Sequence, residues 1–191
     1  MAALVLATKN AHKVRELARM LGDAADVEPL PDDVELPPET GRTFADNALI
    51  KARAAARATG RVAIADDSGI EADALEGRPG VYSARYAGPD ATDVENLAKF
   101  RDEVPAGSVI RYVCVIAHVT PAGQEELFVG TCSGRMAGEA RGDRGFGYDP
   151  VFVPDDGDHG GRTMAELSDD EKDAISHRGR AARGLLEWLS G

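Results

Sequence analysis

Leu4-Val5-Leu6-Ala7-Thr8-Lys9-Asn10-Ala11-His12-Lys13-Val14-Arg15-Glu16-Leu17-Ala18-Arg19-Met20-Leu21 opens on a run of apolar residues and then changes period. Leu4 to Ala7 reads as a buried strand. From about Ala11 to Leu21 the positions Val14, Leu17, Ala18 and Leu21 recur at helical spacing, so the stretch predicts a strand-loop-helix unit. Further on, residues 29–41 carry four prolines and several acids, which suits an exposed, extended loop. Thr43-Phe44-Ala45-Asp46 resembles a capping box that opens an alanine-rich helix to about Thr59, stopped by Gly60. Val62 to Ala65 predicts a second short strand that ends in Asp66-Asp67-Ser68-Gly69, and Ile70 to Leu75 resumes an extended pattern.

In the second half, Thr92-Asp93-Val94-Glu95 predicts another capped helix, lasting to about Val104. Val109 to Val119 and Glu126 to Cys132 flank the turn Pro121-Ala122-Gly123-Gln124, as a hairpin would. A glycine-rich loop from Gly138 to Gly147, a short strand near Val151 to Val153 and a helical end follow, with Ala181, Leu185, Trp188 and Leu189 as the apolar face of the last helix. Early alternation of strands and helices with a later hairpin predicts an α/β fold with a mixed sheet. The strand order is not readable from this pattern. With 191 residues, no internal repeat and no linker, one domain over 1–191 is expected.

The formal charge of −11 argues against a nucleic-acid binder, which needs a basic footprint to release counterions. No apolar run approaches the length that a membrane helix requires. The start lacks a basic leader, so the cytosol is the expected compartment. Cys114 and Cys132 lie apart in apolar or β-like runs and are expected to be buried thiols. Of only five lysines among 22 basic residues, Lys9, Lys13, Lys51 and Lys172 fall in or beside the motifs below. That placement points to lysine as chosen chemistry.

Four constellations could carry it. Thr8-Lys9-Asn10-Ala11-His12-Lys13 lies where a strand gives way to a helix, where free amides and the helix dipole favour a phosphate; the plainer reading is a helix cap with solvated lysines. Asp66-Asp67 at the end of a buried strand are costly to hold without a compensating charge, which Mg²⁺ would supply; the plainer reading is an acidic turn. Gly145-Phe146-Gly147-Tyr148-Asp149-Pro150 lets the backbone approach a planar ligand, with Phe146 or Tyr148 stacking on a base and Asp149 accepting from ring N–H groups; alternatively the aromatics plug the core. In Lys172 to Gly179, a helix would put Lys172 and Ser176 on one face with His177 and Arg178 displaced around it. His118, in an apolar strand, is expected to pack rather than to bind a ligand.

Together these pieces resemble the inosine triphosphate/xanthosine triphosphate pyrophosphatase family. The resemblance rests on residues 6–17, 39–52, 65–69, 80–86, 145–150 and 174–179, six motifs in order. Lys9 departs from it, since many relatives carry glycine there. The resemblance implies an elongated α/β sheet flanked by helices, two lobes around a central cleft, and a homodimer. It implies that Thr8, Asn10 and Lys13 of the opening turn, together with Lys51, hold phosphates, and that Lys9, Ala11 and His12 of the same turn also contact the substrate. Glu39 and Asp67 would bind Mg²⁺, with Asp67 also the proton acceptor. Ser68, Phe146, Gly147, Tyr148, Asp149, Lys172, His177 and Arg178 would contact the nucleotide.

The implied reaction is attack of water on the α-phosphorus of a non-standard purine triphosphate such as ITP, dITP or XTP, giving monophosphate and pyrophosphate. A donor aimed at the 6-oxo group, from Arg178 or a backbone N–H of the Gly145 loop, would reject the amino group of adenine. A pyrophosphatase for other modified nucleotides and a non-catalytic nucleotide sensor are the competing expectations.

Overall fold

The computed structural model describes residues 3–191, so Met1 and Ala2 lie outside the described residues. Its strands are β1 (Ala3–Leu6), β2 (Asp26–Pro29), β3 (Ala63–Ala72), β4 (Val109–Val119), β5 (Glu125–Met136) and β6 (Phe152–Pro154). Its α-helices are α1 (Ala11–Leu21), α2 (Phe44–Thr59), α3 (Asp93–Glu103), α4 (Asp169–Ile175) and α5 (His177–Ser190). The strands form one six-stranded sheet in the order β2-β1-β3-β4-β5-β6. β1 is parallel to both β2 and β3, while β5 and β6 are antiparallel, so the sheet is mixed and the fold is α/β. No helix among the described residues is long and apolar enough to cross a membrane.

The chain divides into two compact units, neither continuous in sequence: one holds residues up to 67 with 114–130 and 178–191, the other 68–113 with 131–177. In the first, the Asn10 side chain caps α1 by accepting from the amides of His12 and Lys13. Thr43 and Asp46 form the expected reciprocal box at the start of α2, and Gly60 ends that helix in the left-handed conformation. Leu4, Leu6, Leu17, Leu21, Ile64, Cys114, Ile116, Ala181, Ala182 and Leu185 form this unit's core. His118 packs there as expected, its ring edge-on to Trp188 at 4.8 Å. The short strand β2 went unread, because Asp26-Val27-Glu28-Pro29 offers only one apolar side chain to a period-two pattern.

The second unit has its own core of Ile70, Phe100, Val104, Ile110, Tyr112, Cys132, Met136, Tyr148, Val151, Phe152, Met164 and Leu167. Thr92 and Glu95 box the start of α3, and Ser168 and Glu171 that of α4. β5 runs on to Met136, beyond the Cys132 that the sequence predicts, because the next buried position is Gly134, which a reading of apolar side chains passes over.

Two further differences bear on the site. Asp66-Asp67 does not end a strand: Ala63–Ala72 is one continuous strand, since each carboxylate finds a cation and the ladder need not break. Likewise α4 stops before Ser176, whose extended backbone (ψ 156°) separates it from α5, so Lys172 and Ser176 do not share one helical face.

Candidate active site

Adjacent residues of a strand point to opposite faces of the sheet, and that alternation gives Asp66 and Asp67 different company. Asp66 is fully buried. Its Oδ2 is 3.1 Å from Lys13 Nζ and 3.1 Å from Arg178 Nη2, with Arg178 Nε at 3.3 Å. Arg178 in turn donates through Nη1 to Glu16 Oε2 at 2.5 Å. Burial alone would raise the Asp66 carboxyl, but Lys13, Arg178 and Lys51 outweigh it and hold the group well below the usual carboxylate range. The same burial, with the Asp66 charge, pushes the Cys114 thiol up to about 12.

Asp67 has less compensation. Its Oδ2 accepts from Asn47 Nδ2 at 3.0 Å, and its Oδ1 is 3.9 Å from Lys51 Nζ. Burial raises its carboxyl above the ordinary value, with the Glu39 charge acting in the same direction and Lys51, Lys13 and Asn47 offsetting only part. Lys51 Nζ donates to Glu39 Oε1 at 2.5 Å and to the backbone oxygen of Asp66 at 2.7 Å. One ammonium thus stands between carboxylates contributed by the 29–41 loop and by β3. Burial would lower Lys51, but Asp66, Glu39 and Asp67 together raise it, so it stays charged.

Asn47 carries no role in the sequence reading, yet it ties this cluster together. While Nδ2 holds Asp67, its Oδ1 accepts from the amide of Gly41 at 2.8 Å, two residues beyond Glu39. A Cβ on Gly41 would stand 2.7 Å from that oxygen and 2.5 Å from Asp46 Cβ, so only glycine lets the loop close on α2. The signal was present: Asn47 and Lys51 are polar residues four apart on a face otherwise made of Phe44, Ala48, Ala52, Ala55 and Ala56.

The opening turn combines both of its sequence readings. Asn10 Oδ1 takes the amides of His12 at 2.9 Å and Lys13 at 3.3 Å, and Thr8 Oγ1 accepts from the Asn10 amide at 3.2 Å. Those amides are therefore not free for a phosphate, contrary to the expectation for this turn. What the turn presents instead is side chains: the Thr8 hydroxyl, the Asn10 amide group and the half-buried Lys13. Lys9, Ala11 and His12 are exposed, with His12 Nδ1 2.8 Å from Arg15 Nη2.

In the second unit the Gly145–Asp149 loop converges with α4. Asp149 is buried, and its Oδ2 accepts from Lys172 Nζ at 2.7 Å and from the Phe146 amide at 3.0 Å. Lys172 Nζ also sits 5.3 Å from the centre of the half-buried Phe146 ring. Gly145 has φ +71°, and a Cβ there would lie 2.0 Å from Asp149 Oδ2, which explains the glycine. Tyr148 does not face outward as a stacking platform. Its ring packs in the core edge-on to Phe100, and its hydroxyl donates to the Ser83 carbonyl at 2.6 Å. His177 is buried against Tyr112, with ring centroids 4.5 Å apart. Ser68 follows Asp67 on β3 and is half-buried. Arg178, expected to meet the base, is 1% exposed with its guanidinium engaged by Asp66 and Glu16; a buried strand carboxylate claims it first.

An α/β protein in which strand and loop carboxylates stand against two lysines has the donor set of a phosphate-handling protein. A family model described as the Ham1 family matches residues 4–188, and the chain belongs to that family. Among its relatives, the dITP/XTP pyrophosphatase of Symbiobacterium thermophilum is 52% identical, over 97% of this chain and 94% of that protein. The dITP/XTP pyrophosphatase of Cutibacterium acnes is 49% identical over 97% and 95%. Among solved structures, a HAM1 protein from Coxiella burnetii superposes with a TM-score of 0.87 at 40% identity, covering 100% of this chain and 99% of that one.

Proposed function

We propose that this chain, working in a reducing cytosol where the buried Cys114 and Cys132 stay thiols, hydrolyses non-standard purine nucleoside triphosphates (ITP, dITP and XTP) to the monophosphate and pyrophosphate, with Mg²⁺ as cofactor. The observation that carries the proposal is the division of labour within β3. Asp66 is locked to Lys13 and Arg178, whereas Asp67 keeps a raised carboxyl beside Glu39. Relatives about half identical to this chain bear the name dITP/XTP pyrophosphatase, which supports the substrate class.

Glu39 and Asp67 suit Mg²⁺. Both are hard oxygen donors, and both already stand within 3.9 Å of the single ammonium of Lys51. No cluster of three or more His, Cys, Asp or Glu side chains poised for a metal occurs among the described residues. Mg²⁺ commonly takes one or two carboxylates and fills the rest of its shell with water and substrate phosphates. On the same strand, Asp66 Oδ1 is buried without a hydrogen-bond partner among the described residues. When bound, the ion would neutralise phosphate charge and orient the attacking water.

The rest falls to the chain's own side chains. Asp67 accepts the proton of the attacking water as general base. The new bond forms between the water oxygen and the α-phosphorus, and the bond from that phosphorus to the bridging oxygen breaks. Lys13 and Lys51 turn from carboxylates to phosphate oxygens and hold the charge that grows on the leaving pyrophosphate, with Thr8 and Asn10 donating to the same tail. Asp149 accepts from the N1–H of hypoxanthine or xanthine, and Lys172 donates to the 6-oxo group in place of the occupied Arg178. Phe146 stacks on the ring. Adenine offers an acceptor at N1 and an amino group at position 6, so Asp149 and Lys172 would both be left mispaired.

The test is a panel of ITP, XTP, dITP, GTP, ATP and modified pyrimidine triphosphates, assayed with and without Mg²⁺ and with products resolved. Mg²⁺-dependent release of pyrophosphate from ITP and XTP is expected. Binding without turnover, or release of orthophosphate, would end the proposal. We also infer a homodimer, supported by Leu127, Val129 and Trp188 of the first unit, large apolar side chains that are 41%, 63% and 45% exposed. Light scattering should return twice the chain mass; a value near 20.2 kDa at micromolar concentration would refute it.

A further inference from the structure

Tyr112 lies on β4, outside every motif that the sequence analysis singled out, and is 94% buried, with a relative exposure of 6%. Its hydroxyl is 3.0 Å from Asp149 Oδ1. Its ring is stacked on both sides, against Phe152 at 4.3 Å and 16° and against His177 at 4.5 Å and 14°. The geometry points to Tyr112 as a positioning residue for base selection, orienting Asp149 through the hydroxyl and His177 through the ring. This inference rests on the base-recognition role proposed for Asp149.

Asp149 Oδ2 already has two donors, Lys172 and the Phe146 amide. Those two restrain one end of the carboxylate, whose plane turns about the Cβ–Cγ bond, a broad and soft torsion. The Tyr112 hydroxyl holds the other oxygen and so fixes the plane. A carboxylate oxygen has about two acceptor directions; with one of Oδ1's taken by Tyr112, the remaining one points along a set direction, as recognition of a ring N–H requires. The phenol must donate to do this. Burial first, and then the Asp149 charge, raise the hydroxyl well above its usual value, so it keeps its proton at any working pH. Because Phe152 and His177 clamp the ring, the hydroxyl cannot swing away. His177, nearly parallel to Tyr112, takes its own ring plane from the same stack.

Tyr112→Phe removes the oxygen and keeps the stack. We expect kcat/KM for ITP to fall about tenfold, mainly through KM, as expected when one charge-assisted hydrogen bond stops orienting an acceptor. ATP, which gains nothing from an acceptor at N1, should keep its low kcat/KM, so the ITP to ATP ratio should also fall about tenfold. Inhibition by inorganic tripolyphosphate, which has no base, should not change. The ratio of two substrates does not depend on the folded fraction, so a partly unfolded preparation cannot imitate the result. Equal losses for ITP and ATP, an unchanged ITP value, or weakened tripolyphosphate inhibition would each overturn the inference. A wild-type enzyme that fails to prefer ITP over ATP would instead sink the proposed function, and that is seen before any variant is made.

Discussion

Asp67→Asn is expected to lower kcat for pyrophosphate release by about a thousandfold, within the range of a lost general base plus a lost metal ligand, while the fold stays intact. Asn is nearly isosteric, and its carbonyl can still accept from Asn47 Nδ2, now at 3.0 Å from Asp67 Oδ2. Stability should hold or improve slightly. The Asp67 carboxyl sits above its ordinary value because burial disfavours its charge, so at neutral pH the ionised side chain opposes folding. Single-turnover kinetics and a thermal melt on the same sample check both halves. Retention of more than about a tenth of wild-type kcat would remove Asp67 from the proton-transfer role.

Arg178→Met carries the largest expected cost in stability, about 3–5 kcal/mol in urea denaturation, the usual result of taking one partner from a buried ionic cluster. The variant takes the guanidinium away from two buried carboxylates. Asp66 Oδ2 would keep Lys13 at 3.1 Å and the weak Cys114 thiol contact at 4.0 Å, and Glu16 would lose its contact at 2.5 Å with the Arg178 Nη1. Adding Asp66→Asn to Arg178→Met should recover part of the loss, because the stranded charge is then gone.

The pH dependence has a definite sign. Asp66 is held well below the usual carboxylate range in the folded protein, so its contribution is fully present above an unfolded pKa of about 3.9 and is lost as pH falls below that toward the folded value. Removing Arg178 raises the folded value, so the gap between wild type and variant should narrow below about pH 4. A gap that stays constant with pH would mean that Arg178 acts by packing alone.

Much of the local structure was legible. The helix starts at Asn10, Thr43 and Thr92 were readable because a cap is written in residues within one turn of each other. The helical face of α1 and the turn between β4 and β5 could be read for the same reason. β3 was divided in two because a doubled aspartate looks like a strand end; its cations come from residues 13, 51 and 178, and the separation along the chain hides them. Asn47 was passed over because its partners, Gly41 and Asp67, lie in a loop and a strand on either side of its helix. Tyr112 reads from the sequence as one more apolar strand residue, and only its contact with Asp149, 37 positions away, gives it another meaning.

The sequence by itself determined the α/β class, the residue types available for phosphate and base, and the segments that carry them, because period, capping and motif spacing are local properties of the chain. The tertiary structure alone decided which charge answers which. It gave Asp66 to Lys13 and Arg178 and left Asp67 with Glu39 around Lys51. It also turned Tyr148 into the core and set Tyr112 behind Asp149. The physical reason is that electrostatic and stacking interactions act across a few ångströms of space whatever the distance along the chain, so a carboxylate's role depends on neighbours that the backbone brings to it.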